Sequence, residues 1–463
     1  MELPNYFFAD LPPEATLSAA MLQEACQALK RNREQYLAPR TTRSMIALLS
    51  GVAQNWLQPT NRFRDLALAQ GPGQTGFSRQ TLAKGLDAFF KTLTPEDFAA
   101  LLEQDLGHPR RLEEMSATAD EQKAGRASLA TAPHLLVHIT AGNLPIPALM
   151  SIVLGVLLRS AQFVKCARGA SWLPRLFAHS LYETDPKLGA CLEIAEWHGG
   201  AAELEHALFA EADCVTATGT DETINHIARR LGPRTRLVPY GHRVSFAYIT
   251  SDALTGGQLR RVVQRATDDV AAWNQLGCLS PHVLYVQDGG AVTPEKFAEL
   301  LAEALAQREQ TEPRGDLPAA SAAAIASRRA IYELRAAHSP DTRHWCSLGS
   351  TAWTVVYEAE PRFQLSCLNR FIYVKGIKDL TDALRQADAV RGQVSTVGLA
   401  ASEHESATLA EQLARWGATR VCPLGQMQAP PLLWHHDGRP ALGDLVTWTD
   451  WERGGLDPTN GPA

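Results

Sequence analysis

Apolar residues recur at three- and four-residue spacing over Leu17–Leu29, Thr42–Leu57, Ser78–Leu93 and Pro95–Leu106. That spacing predicts amphipathic helices. Ser78 and Thr94 stand where N-caps belong, and acidic residues follow soon after Thr94. Gly71-Pro-Gly-Gln-Thr-Gly76 reads as a loop, and the polar stretch 116–128 reads as a linker. From about residue 133 the rhythm changes. The short runs His134–Thr140, Gln162–Cys166, Leu192–Trp197, Asp213–Thr218, Thr235–Val238 and Val244–Thr250 read as strands separated by helical stretches. Such alternation predicts a parallel sheet with crossover helices. A long helix is expected over Gly257–Gln275, then a strand His282–Val286, with further strands near 353–358, 371–375 and 394–401. The Ala-rich piece 318–330 is a helix by propensity. The apolar run Ile146–Leu158 contains Pro147 and is too short to span a bilayer, so it reads as a buried helix.

The predicted fold class is therefore α/β. Four segments are expected: a helical region 1–115, a Rossmann-like cofactor-binding domain 116–252, an α/β catalytic domain 253–425, and a C-terminal extension 426–463 packing on the core. A chain of 463 residues can bury most of its apolar surface without covalent staples.

Composition narrows the function more than the fold. With 44 Lys+Arg against 50 Asp+Glu, the net charge of −6 argues against a general nucleic-acid binder. The eight cysteines are widely scattered and form no Cys-x-x-Cys, so neither a zinc ribbon nor a dithiol pair is indicated. Reduced, mostly buried thiols in a cytoplasmic protein are expected. The first residues, Met1 to Phe8, show no signal-peptide pattern, and no membrane span is expected.

Four short stretches could carry chemistry. Trp273-Asn274-Gln275-Leu276-Gly277-Cys278 places a cysteine just after a helix end, before Ser280-Pro281. A nucleophilic thiol needs exposure and a field favouring the thiolate, which such a turn can supply; the alternative is a buried structural cysteine. Thr140-Ala-Gly-Asn143-Leu-Pro145 closes the first strand and opens a helix. The Asn143 amide could donate to an oxyanion there, or merely cap the helix. Lys165 and Arg168 end the second strand, where open parallel sheets bind ligands, or they are solvated cations. Gly219 and Thr220 follow the fourth strand and could offer backbone N–H groups to a phosphate, although no Gly-x-Gly-x-x-Gly occurs. His435, His436 and Asp437 lack the third distant ligand that a closed metal site needs, so no metal is expected.

Taken together, these stretches resemble the aldehyde dehydrogenase superfamily and, within it, the acyl-CoA reductase family of the bacterial bioluminescence fatty-acid reductase type. The resemblance covers roughly 40–455. It is carried by Thr140–Pro145, Tyr240-Gly-His-Arg-Val-Ser-Phe246, the Cys278 turn, and a C-terminal block. That block comprises Cys422-Pro-Leu-Gly-Gln-Met-Gln428, Trp434-His-His-Asp-Gly-Arg-Pro440 and Asp444-Leu-Val-Thr-Trp-Thr-Asp450.

The resemblance implies an aldehyde-dehydrogenase-like fold, with Cys278 as the acylated nucleophile and Asn143 in the oxyanion hole. It also implies Lys165 on the adenosine ribose and Gly219 and Thr220 under the pyrophosphate. Arg168 stands where NAD-using members often carry Glu, which favours NADP(H). Hydrolytic members carry a Glu-Leu-Gly-Gly run; here Val238-Pro239-Tyr240-Gly241 holds no carboxylate. The superfamily's second ribose-binding Glu is also missing, the nearest region being Gln364–Asn369. The implied reaction is NADPH-dependent reduction of a fatty acyl thioester, on CoA or a carrier, to the aldehyde. Its expected setting is a homo-oligomer served by an acyl-transferring partner protein. An oxidative aldehyde dehydrogenase and an inactive acyl-binding subunit are the alternatives. His242 and His282 are candidates for the thiol's base.

Overall fold

The computed structural model describes residues 3–12 and 14–453. Where local signals agree, helices form as the pattern predicts. Thr94 caps Pro95–Leu106 by accepting from Asp97 N–H, and Gly107 closes it in the left-handed conformation at φ +72°. Ser78 likewise accepts from Thr81 N–H at 3.2 Å ahead of the helix Arg79–Lys91.

Two units emerge, each gathered from separate stretches of chain: residues 1–64, 90–241 and 439–463 in the first, 65–89 and 242–438 in the second. In the first, strands β1 (Arg126–Thr131), β2 (Leu135–Ile139), β3 (Ala161–Cys166), β4 (Leu192–Glu196), β5 (Cys214–Thr218) and β6 (Arg236–Tyr240) follow in chain order. The last five make a parallel sheet of order β4-β3-β2-β5-β6. The order of strand addition reverses between β2 and β5, and in such sheets ligands bind beyond the carboxyl ends at that point. Leu135, Val137, Phe163 and Val215 pack with Leu22, Cys26 and Leu29 of the helix Ala19–Asn32 and with Leu208 and Phe209. The apolar run at 146 is the helix Ile146–Leu157, with Leu149, Ile152 and Val153 fully buried.

The second unit holds β7 (Val244–Ile249), β8 (Pro281–Gln287), β9 (Thr342–Cys346), β10 (Thr354–Glu358), β11 (Phe371–Ile377), β12 (Val394–Ala400) and β13 (Arg420–Pro423). Their order is β13-β12-β7-β8-β11-β10-β9, parallel except for β9. One face packs on the helices Gln258–Ala271 and Pro294–Thr311. The other face receives Ile325 and Tyr332 of Ala319–His338 and Leu413 of Glu403–Trp416.

Several expectations are corrected. The segment boundary expected at 252 falls elsewhere, because β7 pairs with β8 and β12 in the second sheet. The expected helical region 1–115 is divided, since residues 65–89 belong to the second unit. The C-terminal extension is divided too, at 438/439. Its strand β14 (Thr447–Glu452) pairs antiparallel with β1 and is exposed along its length. Residues 454–463 of that extension lie outside the described residues. The linker 116–128 contains the short helix Ala119–Lys123, closed by a Thr118–Glu121 capping box, and the start of β1. The loop at 71–76 is instead the end of the helix Arg62–Thr75, which continues through Pro72; Gly76 N–H bonds Pro72 carbonyl, and Thr75 hydroxyl bonds Gly71 carbonyl. Finally, the long helix predicted to Gln275 stops at Ala271, because Trp273, Asn274 and Gln275 turn left-handed, at φ 48°, 53° and 64°.

Candidate active site

That left-handed run places Cys278. Each such non-glycine residue costs about 1 kcal/mol or more, so surrounding bonds must hold it. Asn274 donates to Arg314 carbonyl at 2.8 Å, and Gln275 donates to Pro281 and Phe371 carbonyls at 2.8 and 2.9 Å. The Trp273 ring lies edge-on to Phe77 with centroids 5.2 Å apart, and a Cβ on Gly85 would fall inside the indole. The chain then passes Gly277, where any side chain would meet the Gln428 amide, and enters β8. Gln428 donates to Ser280 hydroxyl at 2.5 Å, and Ser245 of β7 donates to Cys278 carbonyl at 2.7 Å.

Cys278 is partly exposed, whereas five of the eight cysteines are buried. Burial of its sulfur, and after that the Asp437 carboxylate, push the thiol up to about 12; the backbone N–H groups of Cys278 and Leu279 and the Arg243 guanidinium pull the other way. At rest the group is a protonated thiol.

Of the two histidines proposed as its base, His282 is buried and its Nδ1 accepts from Ser366 N–H at 3.0 Å. Burial, with His242 nearby, lowers it to about 4. With its lone pair engaged, this imidazole is a poor proton acceptor. His242 is exposed. The sequence reading passed over Arg243 and Gln428 and weighed Asp437 only as a metal ligand, although all three lie in the motifs quoted above. Among the described residues, no group of three His, Cys, Asp or Glu could hold a metal ion.

The residues expected to hold the cofactor lie in the first unit. A cavity of about 360 Å³ at the carboxyl end of the five-stranded sheet is lined by Ile139, Lys165, Gly200, Glu205, Thr223 and His226, among others. Lys165 is buried in β3 with its ammonium 5.6 Å from the Trp197 ring centre, and burial lowers its pKa. Glu205 is already engaged: it accepts Gly200 N–H at 2.7 Å and an Arg230 hydrogen bond. Gly219 leaves β5 and bonds Tyr240 carbonyl, and Thr220 caps the helix Asp221–Ala228 by accepting from Thr223 N–H. Arg168 is exposed, three residues beyond Lys165, and does not line the cavity. Asn143 is exposed in the turn after β2, and the N-cap of the next helix is Pro145. A buried amine, a hydroxyl-capped helix start and an apolar floor of Ile139, Phe209 and Ile227 fit the adenosine diphosphate half of a nicotinamide cofactor.

Known proteins share this architecture. NAD-dependent benzaldehyde dehydrogenase from Corynebacterium glutamicum superposes with a TM-score of 0.69 at 14% identity, over 96% of this chain and 92% of that one. Proline utilization A of Bradyrhizobium japonicum gives 0.72 at 15%, over 94% of this chain and 45% of the other. The fold is thus aldehyde-dehydrogenase-like. A long-chain acyl-protein thioester reductase of Photorhabdus laumondii is 22% identical over 68% of this chain and 63% of its own length. The chain therefore spans under two thirds of that curated relative. The profile of the acyl-CoA reductase (LuxC) family matches residues 37–448. On that match, which covers most of the chain, this chain belongs to the acyl-CoA reductase (LuxC) family.

Proposed function

We propose that the chain reduces a long-chain acyl thioester, carried on CoA or on a protein thiol, to the aldehyde with NADPH. The acyl group is carried on Cys278 between the two half-reactions. The observation that carries this reading is the position of Cys278, in a bonded turn with two backbone N–H groups on its sulfur, in an acyl-CoA reductase family chain. The name of the Photorhabdus relative supports the acyl class.

The Cys278 sulfur attacks the thioester carbonyl, the donor thiol leaves, and one difficult displacement becomes two easier ones. The Asn143 amide donates to the oxygen that gains charge. Lys165, Gly219 and Thr220 hold the cofactor. When bound, the cofactor supplies the hydride that the enzyme-held thioester accepts.

Asn143→Ala should lower the acylation rate by about 10²–10³-fold while leaving stoichiometric acylation at long times. Quenched-flow mass spectrometry of the adduct reads this; an effect under about threefold would remove Asn143 from the chemistry. Cofactor choice tests the rest. Wild type should show the higher kcat/KM with NADPH, and Arg168→Glu should weaken NADPH while sparing NADH, since a charge-assisted phosphate contact is worth about 1.5–3 kcal/mol. Equal kcat/KM values for the two cofactors would dismiss Arg168 as a selector.

A further inference from the structure

A thiol attacks as its thiolate, so a cation beside Cys278 favours the reactive form. Among the described residues, Arg243 is a cation whose charge lowers the Cys278 pKa. Arg243 stands just ahead of β7, two residues before Ser245, whose hydroxyl donates to Cys278 carbonyl and accepts Thr396 N–H at 3.1 Å. Its guanidinium donates to Gly392 carbonyl at 2.9 Å. Its Nε lies 3.2 Å from an Asp437 oxygen, yet that buried N–H has no hydrogen-bond acceptor, so the contact is one of charge. The other Asp437 oxygen accepts from Ser395 hydroxyl at 3.1 Å. The Asp437 side chain is 3% exposed and its backbone is left-handed, at φ 53°.

Both members of this pair act on Cys278, and in opposite senses. The titratable side chains flanking the pair and its Gly392 contact in sequence include His242, Arg391, His436 and Arg439. His282 has its Nδ1 engaged, and His436 stacks on Trp434 and has its pKa lowered by burial.

We propose that Arg243 is a positioning residue for the nucleophile, the cation that stabilises the Cys278 thiolate as it forms, and that Asp437 restrains that cation. This rests on the reading of Cys278 as the acylated residue. The C-terminal block thereby gains a chemical role. It anchors at Asp269, which accepts Gly425 and Met427 N–H groups, it touches the turn through Gln428, and it carries Asp437. Losing Arg243 leaves the Asp437 carboxylate acting on the thiol without its counter-ion, whereas neutralising Asp437 leaves the guanidinium's charge unopposed. The two changes must therefore act with opposite sign. A pair that only braces the fold would give the same sign for both.

The experiment is the rate of Cys278 alkylation by iodoacetamide in the full chain at neutral pH, read by mass and peptide map. Asp437→Asn should raise the rate about tenfold, and asparagine tolerates the left-handed backbone there. Arg243→Gln should lower it about tenfold, and Arg243→Lys, which keeps the charge, should stay within about threefold of wild type. Slowing by Asp437→Asn, or no response to either neutralisation, would overturn the proposal. Acyl thioester added to the same variants separates the two readings. If no acyl adduct forms at Cys278 while alkylation keeps its opposite signs, the acyl-enzyme reading fails and the Arg243–Asp437 assignment stands.

Discussion

Cys278→Ala should form no acyl adduct at all. Wild type incubated with an acyl thioester and no cofactor should gain one acyl mass, and peptide mapping should place it on Cys278. The contrast is that of a covalent step made possible or impossible, so aldehyde formation should fall to background. The other seven cysteines cannot substitute. Cys26, Cys166, Cys191, Cys214 and Cys422 are buried. Burial pushes the thiols of Cys26, Cys166, Cys191 and Cys214 up to about 12, as it does that of Cys278, so access and not acidity separates them. The Cys367 thiol is also raised, mainly by burial. Cys346 is partly exposed but lies in β9, the antiparallel strand at the far edge of its sheet. An adduct on Cys278→Ala of the same stoichiometry would move the nucleophile elsewhere.

The acyl-enzyme, once formed, should persist in buffer and be discharged rapidly by added CoA or by NADPH. Water attacks a thioester slowly unless a base is positioned, and such a base contributes about 10²–10⁴-fold. Val238, Pro239 and Tyr240 of β6 stand where hydrolytic relatives carry theirs, and Val238 is buried. His282, the nearest buried imidazole in sequence, has its Nδ1 filled by Ser366 N–H. Isolated acyl-enzyme should therefore outlast many turnover times, and a thiol should release it much faster than buffer does. Prompt appearance of free acid in buffer alone would show that water is activated, with exposed His242 the first residue to replace.

What the sequence determined by itself was local. Short β-rich runs between helical stretches located the strands from β2 to β8 to within two residues, because a strand buried on both faces reads as a near-continuous apolar run. Thr94 marked a helix start through a local bond, from Asp97 N–H. The Cys278 turn, Lys165 at a strand end and Thr220 at a helix start were readable because each sits where one element gives way to the next. Tertiary structure decided the rest. Strand β1 was read as linker because its partner is far along the chain, with Ser128 opposite Asp450. The helix expected to reach Gln275 breaks at Trp273, since the left-handed run is held by Arg314, Pro281 and Phe371 carbonyls rather than by local preference. Arg243 and Asp437 are nearly two hundred residues apart, and nothing near either in the sequence announces the other. A contact of that kind depends on strand order, because loop closure over such a distance is set by the whole sheet and not by any short stretch of chain.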